Sequence, residues 1–317
     1  MGKYIVKRLL LLIPTLFLVV FIVFTLLRLV PTSAVDMMVI QLRNSGNNVD
    51  PAYVEHLLGL DRPFLTQFVS WLGDLAHGDL GTSIFQSGSV WGIIKKQLPV
   101  TLELGILTLI LTCLISIPAG LFCAARQDSV SDALIRAGSV LMMSIPVFWL
   151  ATIILVYPAV WWSYSPPTQY VSFFQDPIAN LKMFIVPALL GAITSAGGQL
   201  RNVRTLTLEV LRQDYIRTCW AKGAKERQIL FRHAFRNTLV PVITMIGGSI
   251  GLIVGGSVIM ENMFNIPGIG NQMVVAVGNL DYPMVQGCTL VFAVIVMLVN
   301  LIVDVAYKWA DPRVTIE

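Results

Sequence analysis

Charge is scarce in this chain. Of its 317 residues only 13% are Asp, Glu, Lys or Arg, while 56% are apolar; a soluble globular protein carries about 25% charged residues. So large a shortage excludes a water-soluble core of this size and assigns much of the chain to lipid. The net charge of +4 is small, and no nucleic-acid partner is expected from it, because tracking phosphates needs basic residues clustered on a soluble face. Histidine is nearly absent: His56, His77 and His233, with no H-E-x-x-H run, leave a zinc intramembrane protease without ligands. The four cysteines, Cys113, Cys123, Cys219 and Cys288, include no C-x-x-C pair. Three lie in apolar runs and read as small packing residues, which supports neither a disulfide framework nor a metal site. A serine-type hydrolase needs a nucleophile and a base within reach of each other, and the apolar stretches offer Ser and Thr without His or Lys. Finally, there is no G-x-x-x-x-G-K-[ST] run, so the phosphate cradle of a P-loop ATPase is missing.

What is present is a set of uncharged stretches of about 20 residues, each long enough to cross a bilayer as a helix. Six are expected to span: Leu9–Leu27, Leu104–Ala125, Ala137–Trp162, Met183–Leu200, Asn237–Met260 and Tyr282–Val303. The expected fold class is therefore all-α, a polytopic membrane protein with six transmembrane helices. The fourth stretch is the least apolar and ends in Thr194-Ser195-Ala196-Gly197-Gly198-Gln199. The first follows Lys3, Lys7 and Arg8, but its apolar run is longer than that of a signal peptide, so it reads as a retained helix.

Lys and Arg set the orientation. Nine of them fall between Arg201 and Arg236, and Arg126 and Arg136 follow the second stretch; the loop after the third holds only Lys182, and Asn262–Asp281 holds none. Both termini and the 201–236 loop are thus expected in the cytoplasm. The segment Pro31–Leu98, with its Asn44-Ser45-Gly46-Asn47-Asn48 turn, is expected outside as a small helical cap. Two parts follow: 1–98, a first helix plus cap, and 99–317, a core of five spans with the cytoplasmic loop. Arg28 lies at the outer end of the first span, from which it can snorkel outward.

No Asp, Glu, Lys or Arg falls near the middle of any of the six stretches. Intramembrane charges usually mark proton or ion pathways, so their lack weighs against a proton-coupled transporter. It leaves open a sodium-coupled carrier built on backbone carbonyls or a stand-alone channel, and it fits a conduit energised by another subunit. Gly247, Gly251 and Gly255 recur every four residues on one helix face. Such a face serves close helix packing, a translocation path, or both.

The segment 209–241 is amphipathic and basic. It reads as two helical stretches separated at Gly223, which is a suitable residue to end a helix. Either an anionic lipid surface or a soluble partner could receive it. Its residues carry a resemblance. Asp214-Tyr215-Ile216-Arg217-Thr218, then Ala221-Lys222-Gly223 with Ala224 and Lys225, and His233-Ala234-Phe235-Arg236-Asn237 closing at Pro241 resemble the EAA loop of permease subunits of binding-protein-dependent ABC importers, in the dipeptide, oligopeptide and nickel branch. Lys7-Arg8-Leu9 through Ile13-Pro14, Leu58-Gly59-Leu60-Asp61-Arg62-Pro63, Gly78-Asp79-Leu80-Gly81-Thr82-Ser83, Thr101-Leu102-Glu103-Leu104, the run Glu261 to Gly270 and Asp281-Tyr282-Pro283 extend it over nearly the whole chain. Two places depart from the family pattern: Pro31-Thr32-Ser33-Ala34 replaces a Pro-Gly-Asp-Pro-like turn, and Cys219-Trp220 replaces a small-then-basic pair.

The resemblance implies a type I ABC importer permease fold in the inner membrane of a bacterium or archaeon. It implies a second homologous permease subunit, two ABC ATPase subunits that carry ATP and Mg, and an extracytoplasmic substrate-binding protein. No cofactor is implied on this chain. The loop residues Asp214, Tyr215, Arg217, Ala221, Lys222, Gly223, Ala224 and Lys225 would form the coupling helix that docks into an ATPase. Within the branch the cargo ranges over peptides, nickel complexes, glutathione and opines, and the binding protein does most of the selecting.

Overall fold

The computed structural model describes residues 2–30, 34–44 and 49–310. The turns expected at 31–33 and 45–48 lie outside the described residues. Among the described residues regular structure is helical, apart from one isolated bridge between Thr82 and Ser89. The helices are α1 (Gly2–Arg28), α2 (Ala34–Asn44), α3 (Pro51–Leu57), α4 (Phe64–Ala76), α5 (Val90–Ala125), α6 (Val130–Ser144), α7 (Val147–Trp162), α8 (Pro177–Leu211), α9 (Asp214–Ala221), α10 (Glu226–Gln228), α11 (Phe235–Met263), α12 (Ile269–Asn279) and α13 (Tyr282–Ala310), with a π-helical segment at Ile229–Ala234.

Four helices, α1, α5, α8 and α13, are long and apolar enough to cross a membrane unbroken, and two bent pairs bring the number to six if each pair is one crossing. One pair is α6 with α7, bent by 86°. The uncharged run Ala137–Trp162 is therefore not one rod. Pro146 disfavours helical geometry at the residue before it, and Ile145 is extended (φ −89°, ψ 123°). The second pair bends by 44° within α11. Two other boundaries shift as well. α5 starts at Val90 and α8 runs on to Leu211, because a charged residue, Glu103 or Arg201, ends an apolar run without ending a helix. At 36 and 35 residues both exceed the roughly 20 that the hydrocarbon requires.

The chain divides into two compact units. The first comprises Met1–Thr101 with Pro267–Met297. Its core gathers Leu27, Leu80, Val90, Ile94, Ile269, Met284 and Cys288, and beside it Phe24 stacks on Trp71 (5.5 Å between centroids) and meets Phe68 edge-on (5.1 Å). Distant sequence motifs are pinned together here by hydrogen bonds. Ser83 Oγ donates to the Asp281 carboxylate, which also accepts from the Ile84 amide (3.3 Å). The Ala34 amide donates to the Tyr282 hydroxyl (3.3 Å) and the Ile269 amide to Thr101 Oγ1 (2.8 Å). The second helical turn of α13 fits against α5 because residue 287 is glycine: a Cβ there would collide with Val90 and approach Ile94 Cδ1 to 3.3 Å.

The second unit comprises Leu102–Ile266 with Leu298–Glu317. In it α8 packs on α6 and α11. Gly197 lets α8 approach so closely that a Cβ would stand 2.6 Å from the Ser139 carbonyl oxygen.

The glycine contact in the first unit yields a test. Overpacking a filled core costs about 1–3 kcal/mol, so Gly287→Leu should lower the thermal unfolding midpoint of the detergent-solubilised protein. Gly73→Ala, on α4 where a Cβ meets nothing within 4 Å, should leave the midpoint unchanged or raise it.

Candidate functional site

Residues 212–234 build a knob at the junction of α8 and α11. α9 begins at Asp214, whose exposed carboxylate pairs with Arg217 at 3.2 Å. It ends in a Schellman turn: the Gly223 amide donates to the Trp220 carbonyl (2.9 Å) and the Ala224 amide to the Cys219 carbonyl (3.1 Å). Such a turn places its C′ residue in the left-handed region, and Gly223 has φ +76°. Lys225 opens α10 with extended backbone (φ −70°, ψ 146°), so residues 222–225 form a tight connection between two helical stretches.

Two kinds of contact seat the knob. Ile216 and Ile229 are buried at 0% and 1% exposure, and Leu230 and Phe235 pack against Leu121, Val203 and Val242. Asn237 supplies a polar clip, its Nδ2 donating to the Tyr215 hydroxyl (2.6 Å) and to the His233 carbonyl (3.0 Å). Between these anchors Ala221, Lys222, Gly223 and Lys225 face solvent, as do Trp220 and Phe231, while Ala224 is half-buried. A cleft of about 460 Å³ opens among Lys225, Arg227, Gln228, Phe231 and Arg232. The result is a basic surface bearing two exposed aromatic rings and anchored from behind by buried isoleucines.

The three spaced glycines do not share one environment. Gly247 is buried, and a Cβ on it would collide with Val303 of α13; at Gly255, which is exposed, a Cβ would meet nothing within 4 Å. Gly251 is half-buried. Close to this face a small cavity of about 80 Å³ is lined by Thr108, Gly191, Thr194, Ser195, Gly256 and Ser257.

Composition gave little warning of a polar relay in the same unit. Ser116 Oγ donates to Gln199 Oε1 (3.3 Å), Gln199 Nε2 donates to Ser249 Oγ (2.8 Å), and Ser249 Oγ donates to the Ile246 carbonyl (2.7 Å). Gln199 is 4% exposed, so α5, α8 and α11 are tied by an amide that spends its hydrogen-bonding capacity inside the protein. The signal was the low hydropathy at the end of the fourth stretch, which reads equally well as a helix end. A buried ion pair was likewise hidden. Asp132 accepts two hydrogen bonds from Arg204 (2.8 and 2.7 Å), with Arg136 Nε at 3.4 Å and the Asp128 amide at 3.1 Å. Its side chain is fully buried and that of Arg204 is 15% exposed. Ser129 caps α6 through the Asp132 amide. A Ser three residues before an Asp is a cap signature, but nothing in the sequence named Arg204 as the partner.

Several helices long and apolar enough to cross a membrane, with a basic knob between α8 and α11, mark a multi-pass membrane protein. The chain belongs to the family described as binding-protein-dependent transport system inner membrane component, which matches residues 116–316, with its N-terminal companion family matching residues 1–105. Among its relatives are a Brucella abortus protein described as a peptide transport system permease (37% identical), the di/tripeptide transport system permease DppB of Pseudomonas aeruginosa (34%) and the oligopeptide transport system permease AppB of Bacillus subtilis (36%), each aligned over 99% of both chains. In fold it is similar to a chain of the inward-facing MetNI methionine ABC transporter, with 17% identity and a TM-score of 0.53 over 69% of this chain and 96% of that one. The fold is thus that of a type I ABC importer permease, and the stand-alone carrier reading is not favoured. A family of membrane permease components is not itself catalytic.

Removing one member of a buried ion pair leaves the other charge uncompensated, at a cost of about 3 kcal/mol. Asp132→Asn and Arg204→Met should each lower thermal stability in detergent. The double variant should be closer to wild type than either single one, as a double-mutant cycle on the unfolding midpoint would show. Additive losses would instead mean that the two side chains are energetically independent.

Proposed function

We propose that this chain forms half of the translocation path of an ATP-driven peptide importer and receives the motion of an ATPase subunit through the knob at 212–234. The observation that carries this reading is the Gly223 turn: it is exposed and self-capped, on a knob anchored by buried Ile216 and Ile229, as suits a surface through which force is to pass. The peptide cargo rests on relatives named for peptide, di/tripeptide and oligopeptide transport. A second homologous permease would complete the path, two ABC ATPase subunits would bind ATP and Mg, and an extracytoplasmic binding protein would deliver the cargo. Asp214, Tyr215, Arg217, Ala221, Lys222, Ala224 and Lys225 join Gly223 in the docking surface. Along the path itself, Gly251 and Gly255 with the Thr194, Ser195 and Ser257 hydroxyls near the small cavity offer hydrogen-bonding groups to a peptide backbone, whereas Gly247 serves packing.

Orientation follows from the basic residues, with both termini and the knob in the cytoplasm of an inner-membrane protein. In a background lacking the native cysteines, single cysteines at Gln169 and Gly268 should react with an impermeant thiol reagent added to intact cells. One at Lys225 should react only after permeabilisation. Labelling of position 225 in intact cells would overturn this orientation.

The coupling role is tested at Gly223. A β-branched side chain strongly disfavours positive φ, and a residue other than glycine in the left-handed region costs about 1 kcal/mol or more. A Cβ at 223 would meet nothing within 4 Å, so the strain that Gly223→Val introduces lies first in the backbone. The variant should insert and assemble, yet lose peptide uptake and the cargo-stimulated part of ATP hydrolysis in the reconstituted complex. Wild-type uptake with wild-type stimulation would refute the coupling role and favour lipid attachment of the basic loop.

A further inference from the structure

A second candidate site lies in the first unit. A cavity of about 510 Å³ opens between the end of α1, the segment from α3 through α4 and the start of α13, with Phe24, Arg28, Gln67, Trp71, Tyr282 and Gln286 among its walls. Arg28 is half-buried. Its guanidinium stacks on Phe24, 3.3 Å from Cζ to the ring centroid, and its Cζ lies 5.8 Å from the Tyr282 ring centroid. Its Nε donates to Gln67 Oε1 (2.9 Å) and its Nη1 to the Phe24 carbonyl (3.1 Å). Gln67 cannot turn its amide around, because its Nε2 is committed to the Leu60 and Arg62 carbonyls (3.1 and 2.8 Å). A guanidinium has five N–H donors, and these contacts use two.

No ion pair involves Arg28 among the described residues, although Asp74 lines the same cavity. A separate feature points the same way. Gln286, another wall residue, is 5% exposed and its amide Nε2 has no hydrogen-bond partner. A cavity edged by a partly desolvated cation and a buried donor in want of an acceptor is matched to an oxyanion, since Arg presents its free donors as a fork to phosphate or carboxylate oxygens.

The depth of the cavity selects the source. The apolar crossing of α1 ends at Arg28, and that of α13 begins at Tyr282. Both crossings therefore leave the hydrocarbon at the level of the cavity, where headgroups lie and where Arg, Trp and Tyr are favoured. Leu26 and Leu29, which flank Arg28, are 57% and 71% exposed, giving acyl chains an apolar surface beside the charge. We propose that this cavity binds a phospholipid, with the headgroup phosphate held by Arg28 and steadied by Gln286, at the end of α1 opposite its N-terminus. The site is independent of the coupling reading, and its occupant is structural lipid and not cargo.

The test uses the chain purified with its accompanying subunits in detergent, in a background lacking the native cysteines and carrying Ser70→Cys, since Ser70 is exposed and lines the cavity. The readout is the rate of maleimide labelling, so neither transport nor ATP hydrolysis enters. Dihexanoyl phosphatidylglycerol near saturation should slow labelling on the order of five-fold by mass action, whereas dihexanoylglycerol, which lacks the phosphate, should not. Arg28→Gln should abolish the protection, Arg28→Lys should keep part of it, and Arg43→Gln on α2 should leave it intact. Weak additional protection by inorganic phosphate supports the assignment. Equal protection by the phosphate-free lipid overturns it in favour of an apolar occupant. Protection by acetate or phosphate without protection by the phospholipid overturns it in favour of a solute anion. No protection by any probe on the protein carrying Arg28 overturns the site altogether.

Discussion

Lipid offers no hydrogen-bond partner to a peptide group, and the architecture follows from that one constraint. Each crossing must satisfy its backbone internally, which is why the long segments are helices. α3, α9 and α11 each terminate by folding their last amides back onto their own carbonyls, through Gly59, Gly223 and Asn265 in the left-handed region. A helix that caps itself needs no neighbour to end, so these ends can lie at an interface with lipid or a partner. The α6–α7 break shows the limit of the rule. Proline removes a donor and the chain turns through 86°, with the Trp149 and Leu150 amides closing onto the Pro146 carbonyl to restart the next helix.

The side chains within the crossings obey the same economy. Thr108, Thr112 and Thr207 each return their hydroxyl to the carbonyl one turn earlier, at 2.7 Å, a local solution that leaves the helix surface apolar. Gln199 has no such option, since its amide carries both donors and acceptors, and it binds α5 to α11 through two serines. Asp132 and Arg204 make the corresponding bargain with charge. Polar groups thus appear in two grades here, self-satisfied and shared, and the shared ones tie neighbouring helices together.

Much of this was legible in the sequence, and the rest fails for definable reasons. Uncharged runs locate α1, α5, α8, α11 and α13, but the run Ala137–Trp162 concealed a right-angled break because hydropathy counts residues and does not sense the backbone restriction before Pro146. The start of α5 was placed too late and the end of α8 too early for a different reason: Glu103 and Arg201 bound the uncharged runs, yet Glu and Arg are good helix formers, so each helix continues past them. Asn262–Asp281 read as a bare loop, yet it contains α12, an eleven-residue helix whose first amide is capped by Thr101. The glycine at 223 was visible because a break in amphipathic spacing coincided with it. Gln199, Arg204 and Arg28 were not assignable, since their partners lie 50 or more, 72 and 39 positions away, and a single sequence carries no record of such pairings.

The π-helical segment Ile229–Ala234 has a bearing on how this chain can vary. A π turn holds an additional residue relative to an α turn, and here it lies between the rigid knob and the start of α11. Losing one residue from it would relax the segment to ordinary α geometry and rotate everything downstream by about 100° about the helix axis. Gly247 would then turn away from Val303, and Ser249 away from Gln199. Chain length between Lys225 and Phe235 therefore acts as a phase setting between the surface of the knob and the α11 face that carries Gly247 and Ser249. An insertion or deletion in this stretch would put the two out of step.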